Sequence, residues 1–138
     1  MELITLQASR PDPNSVYIEL YLGNKVHGAL SAKLTTETPT DICTQELQEL
    51  QTRFLDLKNP PIFQVQGASL GQRFWKYGFG TQMYTIAAKM VWFSHKAIIV
   101  PSAYMDGGTS EAALRVWHGE GFGEYVDRVG MVAVWKNR

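Results

Sequence analysis

Cysteine is nearly absent from this chain. Cys43 is the one cysteine in 138 residues, so no intramolecular disulfide can form. This excludes the disulfide-stapled scaffolds of small secreted domains and favours a reducing, cytoplasmic location. The opening Met-Glu-Leu-Ile-Thr has no basic stretch followed by an apolar run, so we expect no signal peptide. No segment reaches the roughly 18 uninterrupted apolar residues of a membrane helix, so we expect no membrane partner.

The sequence also has no excess of charge of either sign. Lys plus Arg and Asp plus Glu both number 13. A neutral balance gives no overall attraction to polyanions, so nucleic acid is not an expected partner. The histidines His27, His95 and His118 are too scattered for metal-ligand spacing, so we expect no metal site.

What the chain does contain is enough apolar sequence for one packed core. The hydrophobic fraction is 45% and the charged fraction 19%, which is the balance of an ordered globular protein. We find no internal repeat, no low-complexity tract and no linker. The length and composition therefore predict a single domain spanning residues 1–138.

Hydrophobic periodicity predicts a hairpin near the amino terminus. Apolar residues alternate over 16–22 and again over 26–30, which is the period of a strand with one buried face. Gly23 and Asn24 between the two runs favour a tight turn. A partly alternating run from Glu2 to Ala8 predicts an edge strand before them.

Helical and strand patterns alternate along the rest of the chain. The predicted elements are a helix from Thr38 to Lys58, a strand from Ile62 to Leu70, a loop from Gly71 to Phe79, a helix from Gly80 to Phe93, a buried strand from Ala97 to Ser102, a short helix ending near Gly119 or Gly121, and one or two strands between Gly123 and Trp135. This order favours an α/β sandwich with a mixed sheet.

Two glycines, Gly78 and Gly80, stand where the predicted loop passes into a helix. Glycine lets a ligand approach the backbone closely, and the unpaired amides of a first helical turn suit phosphate or pyrophosphate. Arg73 and Lys76 add positive charge nearby. The pattern predicts an anion-binding loop. The alternative is a turn that requires glycine for its geometry alone.

The order of elements, together with three short motifs, resembles the GNAT superfamily of acyl-CoA-dependent N-acyltransferases. The motifs are Gly78-Phe79-Gly80-Thr81 at a helix start, Ala113 in a short helix, and Gly121-Phe122 at its end. The resemblance covers residues 62–135. It implies a mixed, mostly antiparallel sheet flanked by helices, with splayed central strands that form an acyl-CoA cleft.

The resemblance also implies a chemistry. Acetyl-CoA, or another acyl-CoA, would be the co-substrate, and an amine on a small molecule or a protein would attack its thioester directly. The N-terminal hairpin and the helix from Thr38 to Lys58 would form the acceptor side. The implied cofactor-binding residues are Leu70, Arg73, Lys76, Tyr77, Gly78, Phe79, Gly80 and Thr81.

The chain departs from the family pattern at three functional positions. Trp75 stands at the family's Arg or Gln, although Arg73 or Lys76 could supply that charge. Trp117 stands at the family's tyrosine, often the general acid, and an indole cannot act as an acid at neutral pH. The strand before the loop offers Gln64 and Gln66 where a catalytic glutamate is frequent.

Substitute catalytic groups are available nearby. We predict Tyr104 and His118 as the catalytic residues, ahead of other polar side chains around the short helix. For each, the alternative is an ordinary packing or capping role. A second hypothesis for the whole chain is a non-catalytic module that binds acyl-CoA or a protein partner near Trp75, since exposed aromatic residues mark partner surfaces.

Overall fold

The computed structural model describes residues 3–35, 41–101 and 111–138. Within these ranges the chain forms one seven-stranded sheet in the order β1-β2-β3-β4-β5-β7-β6. The strands are β1 (Ile4–Ser9), β2 (Ser15–Leu22), β3 (Lys25–Thr35), β4 (Ile62–Leu70), β5 (Ile98–Val100), β6 (Val126–Val129) and β7 (Val132–Trp135). The helices are α1 (Asp41–Arg53), a 3₁₀ helix (Gln72–Tyr77), α2 (Phe79–His95), α3 (Glu111–Trp117) and α4 (Glu120–Gly123).

The predicted α/β class and mixed sheet are confirmed. Each neighbouring pair of strands is antiparallel except β4 and β5, which run parallel. A parallel pair needs a long crossover, and here α2 forms most of that connection. The predicted edge strand and hairpin are also confirmed: β1 lies at the sheet edge, and Gly23 has a φ of 61° in the turn between β2 and β3.

Helices cover both faces of the sheet, as the alternation of β7 shows. Ala133 belongs to an apolar cluster that includes Ala87 and Val91 of α2. Its neighbours Val132 and Val134 belong to a second cluster, which includes Leu50 of α1. Because successive side chains of a strand point to opposite faces, the buried strands form two cores rather than one.

Two predictions are wrong: the end of the first helix, and the assignment of the segment after β4 as a loop. The helix predicted to end at Lys58 ends at Arg53, because the chain turns there and Leu57 N–H donates to the Phe54 carbonyl at 3.0 Å. The predicted start at Thr38 lies outside the described residues. The segment predicted as a loop from Gly71 to Phe79 is instead a 3₁₀ helix.

The short helix near the carboxyl terminus is also different from the prediction. The predicted end near Gly119 or Gly121 is replaced by two helices, since α3 ends at Trp117 and α4 contains Gly121. Arg128 holds the junction. Its guanidinium donates to the carbonyls of Trp117, His118 and Gly119. The Gly119 carbonyl also accepts from Gly123 N–H of α4 at 3.1 Å, so Arg128 ties the end of α3 to the start of α4.

Strands β3 and β4 approach closely beside the carboxyl end of β4. A Cβ added to Gly28 would lie 2.8 Å from the Leu70 side chain and 3.0 Å from the Ser69 carbonyl oxygen. The Ser69 carbonyl oxygen is a backbone atom, so it cannot move away without a shift of the strand. At Gly67 of the same strand pair, an added Cβ would meet only the Ser31 hydroxyl, at 3.9 Å.

Replacement of Gly28 by alanine is therefore expected to lower the free energy of unfolding by about 1–3 kcal/mol, because the methyl group overpacks the strand contact. Gly67→Ala is the matched control, and it should change stability by no more than about 1 kcal/mol. Urea denaturation of both variants measures the difference. Equal loss in the two variants would contradict the close contact at Gly28.

Candidate functional site

A cleft of about 450 Å³ lies at the carboxyl end of β4. This volume is within the range of small-molecule sites. Its walls come from β3, β4, the 3₁₀ helix, α2 and α3. Most of the lining side chains are apolar, among them Leu30, Leu70 and Met83, while Arg115 adds one basic group.

Strands β4 and β5 pair over a short length in the described residues, before β4 reaches the cleft. Their partners run only from Ile62 with Ile98 to Gln64 with Val100. Strand β4 then continues to Leu70 with β3 as its only partner among the described residues. Backbone N–H and C=O groups on that edge of β4, from residue 65 onward, are therefore available to a bound molecule in the described part of the chain.

A β-bulge sets which side chains of β4 face the cleft. Ala32 pairs with Val65 and Ser31 with Gly67, so Gln66 is the extra residue. One extra residue reverses the alternation of side chains along a strand. Ala68 consequently shares the face of its partner Leu30, and both line the cleft.

The 3₁₀ helix is anchored at the mouth of the cleft by Phe74. This ring is 3% exposed and lies 5.4 Å from the His27 ring and 6.1 Å from the Phe79 ring, between centroids. Gly71 N–H donates to the His27 carbonyl at 2.7 Å. Trp75 Nε1–H donates to the Leu70 carbonyl at 2.7 Å, which ties the helix back to the end of β4.

Helix α2 begins at the cleft with backbone donors that no side chain caps. Gly78 is its N-cap residue, with a φ of 77°, and makes no side-chain hydrogen bond. The first intrahelical bond runs from Gln82 N–H to the Gly78 carbonyl at 3.1 Å. The amides of the first turn, from Phe79 to Thr81, therefore have no intrahelical acceptor, and no acidic side chain lies in that turn. Such a terminus attracts an anion.

Glycine stands at positions 78 and 80 for different structural reasons. A Cβ on Gly80 would lie 3.2 Å from a methyl group of Val116, so this glycine lets α2 and α3 pack closely. At Gly78 the positive φ favours glycine, while an added Cβ would meet nothing within 4 Å. Helix packing thus explains Gly80, and the space beside Gly78 is open to a ligand.

The structure brings half of the predicted cofactor residues to the cleft. Those that line it are Leu70, Gly78, Gly80 and Thr81. Those that belong to the same segment but do not line it are Arg73, Lys76, Tyr77 and Phe79. Of the two predicted catalytic residues, His118 is exposed after α3 and does not line the cleft. Tyr104 lies outside the described residues.

Trp117, at the position of the family's tyrosine, belongs to the core. It is 0% exposed, and its Nε1–H donates to the Gly130 carbonyl at 3.2 Å. Its ring lies 5.6 Å from that of Tyr84 and 5.1 Å from that of Phe122. The indole therefore joins α3 to the turn between β6 and β7 and has a structural task.

Tyr84 is a cleft residue that sequence reasoning missed. It lines the cleft yet is only 4% exposed, and burial raises the pKa of its phenol to about 12. The hydroxyl therefore keeps its proton throughout the neutral range and can donate a hydrogen bond. The available signal was its place beside Met83 on an apolar helix face, which is equally typical of a core residue.

No family model and no curated protein matches this sequence. In the described ranges, no helix combines the length and apolar character needed to cross a membrane. Nor do these ranges contain a group of three or more His, Cys, Asp or Glu placed to hold a metal ion.

The raised pKa of Tyr84 predicts an alkaline transition. An exposed tyrosine ionises near pH 10, so between pH 10 and 12 the unfolded chain releases this proton more readily and the folded state loses stability. The tyrosinate absorbance of the native protein and of Tyr84→Phe is titrated against pH. The difference between the two curves should show one step centred near pH 12. A difference step centred near pH 10 would show that the phenol is not buried.

Proposed function

We propose that this chain is an acyl-CoA-dependent N-acyltransferase of the GNAT type, which transfers an acetyl group from acetyl-CoA to an amine. The observation that supports it is a single cleft bordered by the open edge of β4 and by the uncapped amides of α2. One wall offers hydrogen bonds to an extended chain, and one end offers a site for phosphate.

A GNAT-like sheet with splayed central strands is part of the same proposal. The resemblance implies central strands that splay apart, and in the described part of the chain β4 and β5 pair over only three residues. The Gly78-Phe79-Gly80-Thr81 motif lies at the start of α2, where the resemblance implies pyrophosphate binding. These agreements support a GNAT-like sheet without depending on any one motif.

The acyl-CoA donor would lie along the cleft with its pyrophosphate at the start of α2 and its thioester toward β5. Its pyrophosphate would accept hydrogen bonds from the amides between Phe79 and Thr81, and Arg73 and Lys76 would add positive charge outside the cleft. Its pantetheine arm would follow the unpaired edge of β4 from Leu70 toward Gln64. The thioester would then approach the point where β4 and β5 separate.

The transfer needs few protein groups. The amine nitrogen attacks the thioester carbonyl, a C–N bond forms, the C–S bond breaks, and the thiolate leaves. An N–H on the open edge of β4 would stabilise the developing oxyanion. We assign Tyr84 as a hydrogen-bond donor to the thiolate, because its phenol is held protonated in the cleft. Water would take the proton from the ammonium.

The phosphate end of the cleft can be tested at Gly78 with a matched pair of variants. Asn and Asp both tolerate a positive φ and have nearly the same shape, but only Asp carries a negative charge. Isothermal titration calorimetry with acetyl-CoA should show at least about tenfold weaker binding for Gly78→Asp than for Gly78→Asn, because the added carboxylate repels the pyrophosphate.

Free CoA is the control ligand for the same titrations. Equal affinities for the two variants would place the phosphate elsewhere. No binding of acetyl-CoA by the native chain, at protein concentrations well above the micromolar range, would contradict the acyl-CoA proposal itself.

The role of Tyr84 predicts a kinetic effect without a binding effect. Tyr84→Phe removes one hydrogen bond to a developing charge, so kcat should fall about tenfold or more while the affinity for acetyl-CoA stays within about twofold. Thiol release with a panel of amines measures the rate. Tyr17→Phe, on β2 and outside the cleft lining, is the control and should keep the native rate.

A second function, a non-catalytic acyl-CoA or protein-binding module, is favoured by one observation. The side chain at the family's acid position, Trp117, is fully buried and its N–H is already bonded to Gly130. Gln64 and Gln66 likewise stand where a base is frequent. Acetyl-CoA binding without thiol release from any amine of the panel would favour this module over the transferase.

A further inference from the structure

A basic and aromatic surface lies on one side of the mouth of the cleft. We call it the basic rim and define it by four residues of the 3₁₀ helix, Arg73, Trp75, Lys76 and Tyr77. All four are exposed, Trp75 to 55% and Tyr77 to 69%, while the Phe74 ring between them is buried. The Phe74 ring packs against the His27 and Phe79 rings, so the four exposed side chains belong to a segment that is anchored in the core.

The rim carries positive charge without compensation from its own segment. Residues 57–105 include no Asp or Glu. Their basic residues are Lys58, Arg73, Lys76, Lys89 and Lys96. Among the described residues, no carboxylate lies within ion-pair distance of Arg73 or Lys76. The acidic residues that balance the net charge lie in other parts of the sequence.

The position of the rim limits what it can bind. Trp75 lines the cleft, whereas Arg73, Lys76 and Tyr77 face outward beside it. A molecule that reaches all four side chains must therefore sit over the mouth and not inside it. Acidic surface on that molecule would match the rim, and two exposed aromatic rings would supply apolar contact.

We propose that the acyl donor is presented to this cleft by an acidic carrier protein, whose phosphopantetheine arm enters the cleft while its surface docks on the basic rim. The inference rests on the proposed function, because it takes the donor to be a phosphopantetheine thioester. An acylated carrier protein presents the same pantetheine arm and thioester as acyl-CoA, and it holds the arm through one phosphodiester where CoA has a pyrophosphate. The transfer balances as before: a C–N bond forms, the C–S bond breaks, and the thiol stays on the carrier.

An anionic membrane or a nucleic acid fits the rim less well than a small protein does. The rim is one short helix with two basic and two aromatic residues, far less than an interfacial membrane helix presents. Lys plus Arg equals Asp plus Glu over the chain, so a broad polyanion would also meet acidic surface. A protein contact of ordinary size covers about 800 Å² on each side and can be confined to the mouth.

The test uses the full chain and five probes. Three are donors or their control: an acidic acyl carrier protein in its acetylated holo form, the same protein in its apo form without the arm, and acetyl-CoA. The other two are anionic phospholipid vesicles and RNA. Dissociation constants are measured by calorimetry at low and high salt. Lys76→Glu reverses a rim charge, and Lys58→Glu makes the same charge change before the start of β4. Both lysines are exposed, so neither substitution should unfold the chain.

At low salt, we expect the acetylated carrier to bind more tightly than its apo form and more tightly than acetyl-CoA. Lys76→Glu should weaken binding of the acetylated carrier about tenfold, with a smaller loss at high salt, whereas Lys58→Glu should leave it within about twofold. Because Lys76 also adds charge near the proposed phosphate site, Lys76→Glu should weaken binding of acetyl-CoA by less than it weakens binding of the carrier. This combination assigns both the arm and the rim to one complex.

Four results would overturn it. Binding of acetyl-CoA without binding of the carrier would make CoA the donor and leave the proposed function standing. Equal binding of the apo and acetylated carriers would remove the arm from the cleft. Binding of anionic vesicles or RNA, dependent on Lys76 and without carrier binding, would assign the rim to another partner. Binding of none of the donors would defeat this inference and the proposed function together.

Discussion

The hydrogen bonding between β4 and β5 is the constraint on which the candidate site depends. Three residue pairs hold the two strands side by side, and beyond Gln64 only β3 continues to pair with β4 in the described residues. If β5 paired along the full length of β4, the edge that borders the cleft would be closed. In the described residues, the incomplete pairing leaves polar backbone groups of β4 without a strand partner, and water or a ligand can satisfy them.

The segment after β4 turns that open edge into a defined mouth. Phe74 fills a position against His27 and Phe79, and Trp75 returns a hydrogen bond to the end of β4. These contacts place the start of α2 and the exposed basic residues on a rigid base. The same short helix therefore combines one buried anchor, Phe74, with an exposed surface that includes Lys76.

Aromatic packing beneath the cleft determines which chemistry the proposed transferase can use. Trp117 occupies the core and bonds to Gly130, so its position contributes no proton. Tyr84, packed edge-on against that indole at 88°, reaches the cleft from α2 with a protonated phenol. In the proposed transferase, the donating hydroxyl would therefore come from α2 and not from α3, the helix that the resemblance implied.

The sequence by itself determined the class of fold, the bounds of β4 and the hairpin at Gly23, because apolar alternation and turn residues act over short distances. Only the tertiary structure decided where β4 and β5 part, where the bulge at Gln66 reverses the strand, that Val116 explains Gly80, and that Tyr84 lines the cleft. Each of these depends on contacts between residues far apart in the chain, and local patterns carry no record of such distances.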